Sequence, residues 1–85
     1  MRVLIVDDEP GTREFLARGL REELFHVEAV GDGGAAENRA LAGGFDAILL
    51  DVMLPRISGI DVCRQIRASS KVPIIMVTAK GSEID

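Results

Sequence analysis

The chain of 85 residues has no tryptophan, no tyrosine, three phenylalanines, one histidine and one cysteine. The lone Cys63 excludes an internal disulfide framework and a cysteine-rich zinc site, and the lone His26 excludes a histidine cluster. Apolar runs reach only four or five residues, against the roughly 18 needed to cross a bilayer. Met1-Arg2 and the short run from Val3 to Val6 break off at Asp7-Asp8-Glu9, too brief for a secretory signal. A basic excess is also missing. With 10 Lys+Arg against 14 Asp+Glu the formal net charge is −4, which disfavours a nucleic-acid surface. What is present, 47% hydrophobic and 28% charged residues, fits one small soluble domain over residues 1–85, expected in the cytoplasm and off the membrane.

Patterning supplies the architecture. Val3-Leu4-Ile5-Val6 and Ala47-Ile48-Leu49-Leu50 are apolar throughout, as strands covered on both faces are. His26 to Val30 partly alternates, which suits an edge strand, and Ile74 to Val77 is a fourth apolar run. Between them lie three helical segments. Glu9-Pro10 opens the first, with Phe15, Leu16, Leu20 and Leu24 as its expected inner stripe. Asp32 caps an alanine-rich second helix stopped by Gly43-Gly44. Ser58 and Asp61 form a capping-box variant on the third, whose inner stripe is expected at Ile60, Val62, Cys63 and Ile66. This alternation demands a parallel α/β sheet with right-handed crossovers. The fourth run reads as an interior strand, yet only Ala79 to Asp85 follow Thr78, fewer than the roughly dozen residues a further crossover needs. Either the domain is cut short after that strand or another chain covers its edge.

In such sheets, sites form beyond the carboxyl ends of the strands. Asp7 and Asp8 follow the first run, Asp51 the third and Thr78 the fourth. If the second strand flanks the first on one side and the third on the other, these residues converge, because neighbouring strands lie about 4.8 Å apart. Three carboxylates so close disfavour full ionisation unless a cation enters, and oxygen-only ligands favour Mg²⁺ or a similar hard ion.

Val-Asp-Asp-Glu-Pro at 6–10, Asp-Val-Met-Leu-Pro at 51–55 with Gly59, and Val-Pro-Ile-Ile-Met-Val-Thr-Ala at 72–79 resemble bacterial response-regulator receiver domains, above all those of the winged-helix (OmpR/PhoB-type) class. The resemblance spans the whole chain. It implies a flavodoxin-like fold with strand order 2-1-3-4, here lacking the fifth strand and last two helices. It also implies phosphoryl transfer from a sensor histidine kinase onto Asp51, regulating an absent output domain through which alone DNA would be bound. By the same resemblance Asp8, Asp51 and the Met53 backbone carbonyl hold Mg²⁺, with Asp7 acting through a water. Thr78 and the Ala79 backbone N–H would contact the phosphoryl group. One departure is plain. Receivers place a phosphate-contacting lysine after a fifth strand, whereas this chain has only Lys71 and Lys80.

Plainer readings stand beside these. Asp7, Asp8 and Glu9 alone could cap the first helix, and Thr78 alone is an ordinary strand-end residue. Cys63 reads as packed core, His26 as a surface or strand-start residue, and Arg64 and Arg67 as a solvated helix face. A non-catalytic interaction module, dimerising through the unfinished sheet edge or by domain swapping, is the second functional reading. A dinucleotide-binding enzyme is disfavoured because the first turn lacks Gly-x-Gly-x-x-Gly. An aspartate-nucleophile phosphatase is disfavoured because Asp7-Asp8-Glu9 is not an Asp-x-Asp pattern.

Overall fold

The computed structural model describes residues 1–77. In chain order the elements are β1 (Arg2–Val6), α1 (Pro10–Glu22), β2 (His26–Val30), α2 (Gly33–Ala42), β3 (Ala47–Asp51), α3 (Gly59–Arg67) and β4 (Ile74–Val77). The four strands form one parallel sheet in the order β2-β1-β3-β4. This is the flavodoxin-like arrangement expected above. Thr78, Ala79 and Lys80, on which part of the site reading falls, lie outside the described residues.

Strand alternation divides the interior. Leu4, Val6, Ile48 and Leu50 face one side and pack with Ala36 and Ala40 of α2 and Val62 and Ile66 of α3. Side chains as large as Leu4, Ile48 and Leu50, removed fully from water, stabilise by about 1.5–3 kcal/mol each. Val3 and Ile5 are also buried but belong to the opposite face, where α1 packs against β1 and β2. The alanines let α2 approach closely, and at Gly33 any Cβ would meet Ile57 and Val62, both at 2.7 Å.

The caps form as the sequence indicates. Glu9 accepts a hydrogen bond from the Gly11 N–H at 3.4 Å, Asp32 from Ala35 at 2.8 Å, and Ser58 from Asp61 at 3.3 Å. Gly43 and Gly44 end α2 with φ of 82° and 88°, a region that favours glycine.

Three inner-stripe expectations are corrected. Phe15 is 76% exposed, because the face of α1 that meets the sheet carries Leu16, Ala17 and Leu20, with Ala17 buried. Leu24 is 87% exposed and lies past the helix end at φ 68°, where helical spacing no longer applies. Ile60 is half exposed as well, whereas Val62 and Ile66 fill the core as expected, with Cys63 packed at its margin. His26 sits exposed at the start of edge strand β2, as expected.

Candidate functional site

The register of β1 and β3 places Val6 beside Leu50, so the next residues, Asp7 and Asp51, stand side by side at the carboxyl rim. Alternation turns both away from the α2–α3 core and toward the α1 side. Asp8 adds a third carboxylate from the same turn. Ligand oxygens of Asp7, Asp8 and Asp51 all lie within 4.8 Å of one another. They open into a cleft of about 600 Å³ whose walls include Thr12, Leu49, Met53 and Val77. Convergence therefore follows from the central pairing of β1 with β3, which puts two distant segments at one strand spacing.

Each buried acid is held by a backbone donor. The Glu9 N–H donates to Asp7 Oδ1 at 2.9 Å, and the Met53 N–H donates to Asp51 Oδ1 at 2.9 Å. Both residues are only 6% exposed, whereas Asp8 is open to solvent. Burial pushes the Asp7 carboxyl above the usual carboxylate range. The Glu9 N–H opposes that push, and the charges of Asp51, Asp8 and Glu9 add to it. Among the described residues no lysine or arginine forms an ion pair with any of the three. Lys71 precedes β4, at the opposite end of the sheet.

Gly59 lies against the backbone that carries Asp51. Its N–H donates to the Val52 carbonyl at 2.8 Å, and a Cβ on it would press into the Asp51 carbonyl and lie 2.8 Å from the Val52 Cα. The start of α3 is therefore in direct contact with the backbone of Asp51. Sequence reasoning missed Thr12, which faces the cleft, and Arg13, whose Nη1 donates to the Asp7 carbonyl at 2.8 Å. Their only sequence signal is placement in the first turn of the helix that follows the acids.

The donor set is all oxygen, anionic and clustered, with no imidazole or thiolate, and it suits a hard divalent cation such as Mg²⁺. The family model for the response regulator receiver domain matches residues 3–85. The chain belongs to the response regulator receiver family. This receiver is 54% identical over 83 residues to the sensory transduction protein RegX3 of Mycolicibacterium smegmatis, covering 98% of this chain and 36% of that protein. It is 48% identical over 84 residues to the DNA-binding response regulator MtrA of the same organism, covering 99% and 37%. It thus spans little more than a third of the length of the curated relatives it matches. Among solved structures, response regulator TrrA of Thermotoga maritima in complex with Mg²⁺-BeF aligns with a TM-score of 0.86 and 39% identity, covering 92% of this chain and 69% of that one. A complex of histidine kinase ThkA with TrrA aligns with a TM-score of 0.87 and 38% identity, covering 95% and 71%. No helix among the described residues is long and apolar enough to cross a membrane.

Proposed function

We propose that this receiver accepts a phosphoryl group on Asp51 from a phosphohistidine of a sensor kinase, in a Mg²⁺-dependent reaction. The observation that carries the proposal is the meeting of Asp7, Asp8 and Asp51 within 4.8 Å at one rim. Asp8, Asp51 and the Met53 carbonyl are assigned to the metal, and Asp7 acts through a bound water. Bound there, Mg²⁺ supplies positive charge against the anionic phosphoryl group.

The chain's own part is positioning. The Met53 N–H fixes the Asp51 carboxylate, a weak nucleophile that depends on alignment. A carboxylate oxygen of Asp51 bonds to phosphorus as the bond from phosphorus to the donor imidazole breaks. Leu49 and Met53 wall the cleft on the apolar side and limit water around the reacting carboxylate. The Thr78 hydroxyl and the Ala79 N–H, from the motif that follows β4, are assigned to hydrogen-bond the phosphoryl oxygens. The receiver promotes its own modification and loss of phosphate and is not an enzyme acting on a separate substrate. The TrrA structures with Mg²⁺-BeF and with a histidine kinase support the ion and the donor. Relatives named as DNA-binding regulators support a transcriptional output domain and a cytoplasmic setting.

Incubation with acetyl phosphate and Mg²⁺ should add one base-labile, hydroxylamine-labile phosphoryl group by mass spectrometry, and Asp51→Asn should remove it. Equal labelling of Asp51→Asn would show that Asp51 is not the acceptor.

A second reading is supported by β4, which forms one edge of the described sheet and leaves Ile75 53% exposed. In that reading the chain is an interaction module that pairs with a second copy through this edge, by strand addition or domain swapping. Sedimentation across a range of concentrations separates the two, since a strictly monomeric folded species contradicts edge pairing.

A further inference from the structure

We propose that Arg13 is a positioning residue for the acidic cluster, its guanidinium holding the Asp7–Asp8 peptide in the orientation that sends both carboxylates into the cleft. This rests on the reading of Asp7, Asp8 and Asp51 as a divalent-cation site. Asp7 is tied down three ways. Its N–H donates to the Val30 carbonyl at 3.1 Å, its Oδ1 accepts from Glu9 at 2.9 Å, and its carbonyl accepts from Arg13 Nη1 at 2.8 Å. The third bond controls the next residue. A peptide group is planar, so the Asp7 carbonyl and the Asp8 N–H turn together, and a fixed carbonyl fixes the direction in which Asp8 leaves the strand.

The sequence makes room for this bond. A Cβ on Gly31, in the turn after β2, would lie 2.9 Å from Arg13 Nη1. Glycine there leaves the guanidinium a slot between α1 and that turn. The Arg13 N–H donates to the Glu9 carbonyl at 2.9 Å, so the arginine is anchored at its base to the same turn it clamps at its tip. A charged donor makes this bond stronger than a neutral one. Other arginines of α1 do nothing comparable: Arg18 is exposed, and Arg21 donates to the Val27 carbonyl, toward the other end of β2.

Charge and geometry predict opposite signs, which makes the proposal testable. A cation beside an anionic site repels Mg²⁺, so by Coulomb attraction alone, loss of Arg13 strengthens metal binding. If Arg13 positions the carboxylates, its loss weakens binding, by about tenfold on the scale of groups that orient metal ligands. Titration calorimetry of MgCl₂ into the chain at fixed ionic strength reads this directly. Arg13→Gln and Arg13→Ala should bind about tenfold more weakly, Arg13→Lys should recover part of the loss, and Arg18→Ala should match the parent sequence. The Asp8 amide resonance of Arg13→Lys and Arg13→Gln should shift without metal, a readout available even if Arg13→Ala fails to fold. Parental or tighter Mg²⁺ binding in the Arg13 variants, or an unmoved Asp8 amide, overturns the proposal. Absence of Mg²⁺ binding by the parent chain overturns the cation-site reading itself.

Discussion

The two ends of the sheet handle charge in opposite ways. At the amino end, Arg2 is surrounded by partners. Its Nη2 pairs with Glu28 Oε2 at 2.7 Å, its Nη1 donates to the Gly44 carbonyl at 3.2 Å, and its guanidinium lies 4.7 Å from the Phe45 ring centre. Glu28 also pairs with Arg39, and Asp46 accepts from the Arg2 N–H at 2.7 Å. At the carboxyl end, three carboxylates meet, and among the described residues the two buried ones accept hydrogen bonds from backbone N–H groups and none forms an ion pair. The hollow beside Arg2 is the larger, about 850 Å³, yet its charged groups already have partners, Arg2 in Glu28 and Arg21 in the Val27 carbonyl. Size does not mark the site here. Unbalanced charge held in place by the backbone does, because ligand binding can relieve it and folding has not.

That contrast can be tested most severely at Gly59. Gly59→Ala places a methyl group against the Asp51 and Val52 backbone, which cannot yield as a side-chain tip could. Denaturant unfolding should show a loss of about 2–3 kcal/mol, and Mg²⁺ affinity should fall with it. Next comes Asp8→Asn. It should weaken Mg²⁺ binding by about tenfold or more while leaving the metal-free melting temperature unchanged or higher, since it removes one of three crowded charges.

The pH response of Asp7 is smaller and has a definite sign. Its carboxyl is raised by burial, so between the ordinary carboxylate pKa and the raised one the folded chain keeps a proton that the unfolded chain has released. The stability this group contributes is therefore complete below that window and is lost as pH rises through it. Urea unfolding without divalent ions should show this decline, and Asp7→Asn should flatten it. The smallest effect belongs to the amino end. Glu28→Ala leaves Arg2 and Arg39 without their shared carboxylate and should cost at most about 1 kcal/mol, with Mg²⁺ affinity unchanged. A large effect of Glu28→Ala on metal binding would show that the two ends are coupled.

Much of this was legible along the chain. The unbroken apolar runs at Val3–Val6 and Ala47–Leu50, the caps at Asp32 and Ser58, and the acids placed just after strands are local signals with local causes. Less legible was which side chains of α1 would be buried. Phe15 is far more apolar than Ala17, but helix rotation against the sheet is set by how closely backbones approach, and it is Ala17 that is buried. Leu24 fell outside the pattern because the helix had already ended.

Local preferences for strand, helix and cap are written into neighbouring residues, so the alternation of elements and the acids at strand ends were determined by the sequence itself. The meeting of Asp7 with Asp51, the slot that Gly31 leaves for Arg13 and the shared partner of Arg2 and Arg39 were decided only by tertiary structure. Each joins segments whose separation in space depends on which strands pair and in what register, and no residue carries that information alone.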